Sequence, residues 1–271
     1  MKKSVITLSA VFALLISACS TNPFTGKQNF NIVSNNEIFP SAFQQYNQFL
    51  TENKVISGTS QATMVTNVGQ KIKAAAEKYL KSVGQSAYLD GYAWEYKLVE
   101  SKEVNAWCMP GGKIVVYSGI LPITKDEAGL ATVMGHEVAH ALLNHGAQRM
   151  SRETVAQLGA AGLGAATSGQ SATAQQIFQQ AYGLGAQYGA ILPFSRSNEN
   201  EADEVGLTLM AIAGYNPDRA LDFWKRMEAN SGGGAPPEFM STHPSGATRI
   251  SKISSEIPNA KAQAAKFGVK F

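Results

Sequence analysis

The chain contains 271 residues, of which 44% are hydrophobic, enough to bury the core of one sizeable domain. Its formal net charge is +3, and two of the positive charges, Lys2 and Lys3, lie in an N-terminal segment that we expect to be removed. No other cluster of Lys and Arg could follow a phosphate backbone, so the sequence argues against nucleic-acid binding.

The N-terminus has the pattern of an export signal. Two lysines precede an apolar run over residues 5–18, which is too short to be a stable transmembrane anchor. Ile16-Ser17-Ala18-Cys19 resembles the bacterial lipobox, in which the cysteine is lipidated and becomes the mature N-terminus. An ordinary signal peptide cut nearby and a short membrane anchor are the alternatives. We predict a signal peptide over residues 1–18 and a lipidated tether over residues 19–40.

Lipidation at Cys19 has two consequences. By resemblance to the Gram-negative sorting rule, Ser20 after the cysteine favours the outer membrane in a Gram-negative host, with the protein on the periplasmic side. Cys108 is the only other cysteine, so no intramolecular disulfide could then form.

Residues 41–271 are predicted to form a single domain. It begins with helices over residues 41–53 and 60–83, where apolar residues repeat at helical spacing. Branched and alternating apolar residues predict strands over residues 94–100 and 113–117. Pro110, in the connection between them, limits that segment to a sheet edge or a strand end.

The segment His136-Glu137-Val138-Ala139-His140 is the most informative part of the chain. Residues four apart lie on the same face of a helix, so two imidazoles can bind one zinc ion while Glu137 reaches a water on that metal. Thr124 and Glu127 form a capping-box pattern, and Gly146 is expected to close the helix. The intervening residues are apolar nearly all round, which predicts burial, and buried histidines need a metal or hydrogen-bond partners.

The motif by itself has low specificity for a metal site, and a pair of hydrogen-bonded core histidines is the alternative interpretation. The distribution of histidine favours the metal site. The chain has four histidines. Two of them fill the motif, and His243 lies in a Thr-His-Pro-Ser turn near the C-terminus.

A composition shift follows the motif. Residues 155–192 are dominated by Ala, Gly, Gln and Ser, and periodic apolar residues predict two helices with a break between them. This pair is either closely packed through its small residues or a mobile lid or membrane-facing hairpin over the cleft. Another helix is predicted from about residue 198 to residue 213.

That later helix offers candidates for the third ligand, since a catalytic zinc takes three protein ligands and keeps one position open for water. Its apolar face contains Ala202 and Leu209. At about 100° per residue, Glu199 and Asp203 lie on or beside this face, and Glu201 points away from it. We therefore predict Glu199 as the ligand and Asp203, one turn later, as the hydrogen-bond acceptor that orients a zinc-bound histidine. Glu201 and Glu204 are predicted to form a solvated acidic face.

These motifs together resemble a known family. His-Glu-x-x-His followed by Glu-x-x-x-Asp, with Asn-Ala and Pro-Gly-Gly upstream and a late His-Pro, is similar to metallopeptidases of the CAAX prenyl endopeptidase and HtpX type. This is metallopeptidase family forty-eight, and bacterial lipoproteins of the family share the Asn22-Pro23-Phe24-Thr25-Gly26-Lys27 pattern. The resemblance covers roughly residues 105–249.

The resemblance implies a role for each matching residue. His136, His140 and Glu199 bind one Zn²⁺ per chain, Glu137 is the general base, and Asp203 assists. His243 and Arg249 line the cleft, and in some relatives this histidine can approach the metal. His145 also fits the family pattern, and we interpret it as a structural, capping residue. The implied fold is α+β and mainly α-helical, with a zincin-like core and a small antiparallel sheet whose edge strand flanks the active-site helix.

The function expected from the sequence is zinc-dependent cleavage of unfolded or misassembled cell-envelope proteins. An extended substrate would add as a strand along the edge formed by Asn105, Ala106 and Trp107. Glu137 would take a proton from the zinc-bound water, and His243 would donate to the oxyanion. The alternative function is a zinc-stabilised periplasmic chaperone or assembly factor with latent peptidase activity.

Overall fold

The computed structural model describes residues 19–152, 195–230, 237–243 and 247–271. The predicted signal peptide and the Ala/Gly-rich segment 155–192 lie outside these residues. The described strands are β1 Cys19–Thr21, β2 Gln28–Phe30, β3 Val55–Ile56, β4 Glu95–Val99, β5 Ala106–Met109 and β6 Lys113–Tyr117. The helices are α1 Asn35–Glu52, α2 Ser60–Ser82, α3 Leu121–Thr124, α4 Glu127–Leu142, α5 Arg196–Ile212, α6 Arg219–Ala229, α7 Glu238–Thr242 and α8 Ala247–Ala265.

The expected mainly helical fold with a small sheet is confirmed. The main sheet has the strand order β3-β4-β6-β5. It is mixed, not wholly antiparallel, because β4 and β6 run parallel while the other pairs are antiparallel. The cause is β5, which lies in the segment predicted as a connection at a sheet edge or strand end: it reverses the chain between β4 and β6. As expected, an edge strand flanks the motif helix, since β5 lies at the sheet edge and contacts α4.

The segment predicted as a tether is largely folded. Strands β1 and β2 form an antiparallel hairpin, and Asn22 between them is 1% exposed. Helix α1 then begins at Asn35, before the predicted start at residue 41, because Ser34 starts the helix by donating its backbone N–H to Glu37 Oε2 at 2.9 Å. Pro40 lies inside this helix and does not mark its start.

Helix α4 carries the histidine motif through the centre of the core. Every residue from Gly129 to Leu142 is buried. The helix is capped by Asp126, whose side chain accepts from Gly129 N at 2.9 Å, and not by Thr124, which belongs to α3. It ends at Leu142, before the predicted Gly146, because Asn144 takes a left-handed conformation with φ of 55°. Among the helices of the described residues, none has the length and hydropathy that a membrane crossing requires.

Helices α4 and α5 approach most closely at two glycines. A Cβ atom on Gly206 would lie 2.9 Å from the backbone of both Gly135 and His136, and one on Gly135 would lie 2.9 Å from Gly206 O. Both glycines are therefore required for contact between the two backbones. This contact brings Glu199 and Asp203 of α5 to the histidines of α4.

Replacing Gly206 with alanine should destabilise the protein. In an ordinary helix this change stabilises by about 0.5–1 kcal/mol, because it lowers the entropy of the unfolded chain. Here the added methyl group meets backbone, and overpacking typically costs about 1–3 kcal/mol. Urea unfolding should show a lower free energy of unfolding, whereas an unchanged or higher value would mean that the helices can separate without cost.

Candidate metal centre

The two motif histidines converge on one point. His136 and His140 lie on the same face of α4, with their Nε2 atoms 3.0 Å apart. Both side chains are buried, at 2% and 4% exposure. The regular helix between them produces this geometry, since a four-residue separation places one ring above the other.

Glu199 of α5 faces the same point. Its Oε1 lies 3.3 Å from His140 Nε2, and its Oε2 lies 3.5 Å from His136 Nε2. Burial alone would raise the pKa of this carboxyl, but His243 and the two motif histidines outweigh it and hold the pKa well below its usual range. Glu199 is therefore ionised at neutral pH.

His243 completes the cluster from the end of α7. Its Nδ1 lies 3.1 Å from Glu199 Oε1 and 3.2 Å from His136 Nε2. The four side chains His136, His140, Glu199 and His243 each offer one donor atom, and these atoms lie within 4.8 Å of one another. The structure thus places His243 in the donor set itself, in line with the approach to the metal that the family resemblance allows for this histidine.

The chemistry of this donor set fits zinc. Imidazole nitrogens and a carboxylate oxygen are common zinc ligands, and they bind the metal in the neutral and ionised forms respectively. Burial holds the pKa of His140 well below its usual value, so this ring is neutral. Burial also lowers the pKa of His136, but hydrogen bonds to Asp203 and Glu199 outweigh it, and the net shift is upward.

Glu137 lies beside the cluster and outside the donor set. Its side chain is buried, and its Oε1 accepts no hydrogen bond from the described residues, although His243 Nε2 is 3.3 Å away. Burial raises the pKa of Glu137 to about 7, against the opposing effects of His243 and a hydrogen bond from the Cys108 backbone. A carboxylate with a pKa near neutrality is suited to accept and return a proton.

Asp203 lies on the Nδ1 side of His136, and Arg249 reaches both Asp203 and the cluster, with its Nη1 3.1 Å from Glu199 Oε2. His136 Nδ1 lies 2.9 Å from Asp203 Oδ1. Arg249 donates to both oxygens of Asp203, from Nε and Nη2, at 2.8 Å each. Its guanidinium also lies over Trp224, 3.8 Å from the ring centroid, and is largely buried. Arg249 therefore does not line an open cleft, and both residues are placed to orient His136.

Residues 67–257 match the sequence model of peptidase family M48. The chain belongs to this family. It is 37% identical over 185 residues to the mitochondrial metalloendopeptidase OMA1 of Schizosaccharomyces pombe, covering 68% of the chain and 52% of that relative. It is 26% identical over 254 residues to metalloprotease YcaL of Escherichia coli, covering 92% and 98% of the two chains. It is 30% identical over 162 residues to the beta-barrel assembly-enhancing protease of Yersinia pestis, covering 58% and 33%.

The family predicted from the motifs is thereby confirmed. The chain spans about half the length of two OMA1 relatives: it covers 52% of the protein of Schizosaccharomyces pombe and 56% of that of Saccharomyces cerevisiae. The matched segment of the chain includes α4, α5 and α7.

Sequence reasoning missed two residues of the M48 site. His145, interpreted as a capping residue, lies with its Nδ1 3.0 Å from His140 Nδ1. Its Nε2 lies 3.3 Å from Glu201 Oε2. The side chain of Glu201, predicted to be solvated, is only 14% exposed and also pairs with Lys27. The periodicity of α5 gives the orientation of Glu201 on its own helix but carries no information on the other parts of the fold that Glu201 meets.

The predicted substrate-binding side chains are not accessible. Asn105, Ala106 and Trp107 are all at most 2% exposed. The Trp107 ring packs edge-on against Phe49, with ring centroids 5.0 Å apart. At this sheet edge, therefore, an added peptide strand would meet the backbone of β5 and not these side chains. The hydrogen bond from the Cys108 backbone to Glu137 shows that this edge reaches the base.

Proposed function

We propose that the chain is a zinc-dependent endopeptidase that cleaves unfolded or misassembled cell-envelope proteins. One observation carries the proposal: a buried base, Glu137, with a pKa of about 7, lies beside a donor set of three histidines and one glutamate. Membership of peptidase family M48 supports the reaction class.

The residues of the chain have distinct parts in this reaction. His136, His140 and Glu199 would hold the zinc, which would supply a coordinated water of lowered pKa and a positive charge that polarises the scissile carbonyl. Glu137 Oε1 takes the proton of the attacking water and returns it to the leaving amine. Asp203, held by Arg249, keeps Nδ1 of His136 protonated so that Nε2 faces the donor set. The backbone of β5 holds the substrate as an extended strand.

The envelope substrates are inferred from the relatives. YcaL, a metalloprotease, aligns with 92% of the chain, and another relative is named for enhancing beta-barrel assembly. We propose that this chain belongs to the bacterial lipoprotein branch of the family and acts in the cell envelope, on the periplasmic side of the outer membrane. Open segments of misassembled proteins would supply the extended strand.

A second function is favoured by the position of His243. If His243 served as a fourth ligand, it would take the position that a catalytic zinc keeps open for water. A zinc-stabilised chaperone or assembly factor with latent peptidase activity would have such a closed set. Peptidase activity would then require His243 to leave the metal, after which it could donate to the oxyanion.

Metal analysis and casein cleavage on the purified mature protein, with and without a chelator, separate these functions. The peptidase proposal expects about one zinc per chain and cleavage that the chelator abolishes. A full complement of zinc without cleavage would favour the latent form. Absence of zinc binding would refute both.

The proposed membrane attachment depends on Cys19. In a bacterial host, Cys19→Ala should leave the precursor unprocessed and should abolish incorporation of labelled acyl chains, because the cysteine is the acyl acceptor of the lipobox. Cys108→Ala is the matched control and should be labelled like the wild type. Continued labelling of Cys19→Ala would refute lipidation at this residue.

A further inference from the structure

We propose that Lys27, Glu201 and His145 form a chain of positioning residues for His140, and that the N-terminal hairpin, residues 19–30, is thereby part of the metal centre. The inference rests on the proposed zinc site. It gives this segment a role in supporting a metal ligand, besides its packing on helix α4.

The orientation of the His140 ring determines the direction of hydrogen-bond donation through this series of residues. Its Nε2 faces Glu199 and His136, and its Nδ1 faces His145. A neutral imidazole that offers Nε2 to a metal carries its hydrogen on Nδ1. His140 Nδ1 therefore donates to His145 Nδ1, 3.0 Å away. His145 in turn carries its hydrogen on Nε2 and donates to Glu201 Oε2, 3.3 Å away.

Glu201 is held from the other side by the hairpin. Lys27 Nζ donates to Glu201 Oε1. The result is a continuous path from an exposed lysine to a metal-binding ring. His136 has the same kind of support, from Asp203 and Arg249. Each motif histidine is thus connected to a carboxylate that a cation holds in place, His136 directly and His140 through His145. Metal-binding histidines depend on such partners for tautomer and ring orientation.

The hairpin is fixed to the metal helix by a second set of contacts. Asn22 Nδ2 donates to Leu142 O at 3.0 Å, and Asn29 Nδ2 donates to Leu143 O at 3.1 Å. These carbonyls belong to the C-terminal end of α4, where helical carbonyls lack partners within the helix. Both asparagines are buried, at 1% and 6% exposure. Lys27 therefore extends from a segment that is anchored on the helix whose ligand it supports.

Zinc affinity, measured by competition with a chelating indicator on the full mature chain, tests the role of His145. His145→Leu removes the acceptor for His140 Nδ1 and should weaken zinc binding by about 10- to 100-fold. His145→Asn keeps an acceptor near the same position and should retain most of the affinity. The visible spectrum of the Co²⁺-substituted protein should change in His145→Leu and stay close to the wild type in His145→Asn.

Two substitutions of the exposed Lys27 test the contribution of the hairpin to zinc binding without disturbing the core. Lys27→Met should weaken zinc binding by about two- to fivefold, as expected for a partly exposed ion pair, and Lys27→Arg should restore it. Lys261→Met is the control, because it breaks another exposed pair, with Asp218 at 2.7 Å, and should leave the affinity unchanged.

The outcomes separate this inference from the proposed function. If the wild type binds zinc and both His145→Leu and Lys27→Met bind it equally tightly, the positioning chain is refuted while the zinc site stands. Equal losses in His145→Leu and His145→Asn would also refute it, because the defect would then be one of packing. A wild type that binds no zinc would refute the site and the chain together.

Discussion

Glu137→Gln should retain about one zinc per chain while its endopeptidase activity falls by about 10²- to 10⁴-fold, the usual contribution of general acid–base catalysis. Glu137 lies outside the set of four donor residues, so the metal does not depend on it. Glutamine matches the shape of glutamate but cannot take the proton of the attacking water. The fold should tolerate the change, because the buried carboxyl already has a pKa raised to about 7.

Glu127→Gln is the matched control for this result. It makes the same chemical change on the same helix, but at a side chain that is 45% exposed. Its zinc content and its activity should both stay close to those of the wild type. Loss of zinc from Glu137→Gln would mean that this residue is a ligand. If Glu137→Gln instead restored full function in cells lacking the protein, chaperone activity would replace proteolysis as the proposed function.

Glu199→Gln should lose zinc affinity and thermal stability together. It removes the one carboxylate among the four donors, so the loss should exceed the roughly 10- to 100-fold typical of residues that only support a ligand. Since zinc binding stabilises the folded state, the melting temperature of the wild type should fall when a chelator is added. The variant should show little further change under the same treatment.

Glu204→Gln is the control for Glu199→Gln. Glu204 lies on the same helix, outside the donor set, and such changes usually alter stability by only about 0.5 kcal/mol. Glu201 would be unsuitable as a control because it holds His145 and Lys27. The assignment of the third ligand would be wrong if Glu199→Gln kept its zinc and Glu204→Gln lost it.

The residues that the sequence could place form two sets, each within a single helix. His136, Glu137 and His140 lie on one helix, where a four-residue spacing determines which side chains share a face. The same periodicity separated Glu199 from Glu201 on α5. Metal-binding chemistry needs few residue types, so these local patterns were sufficient to predict a zinc site and its base.

Tertiary structure decided the rest, because no periodicity relates residues that are far apart in sequence. The contact of His243 with His136 spans 107 positions, and that of Lys27 with Glu201 spans 174. The position of Arg249 behind Asp203 depends likewise on how α8 packs against α5. The hairpin was predicted as a tether because polar, asparagine-rich sequence is typical of solvated segments. Its asparagines are buried instead, since the end of α4 presents carbonyls that need donors, and only the folded chain brings the two together.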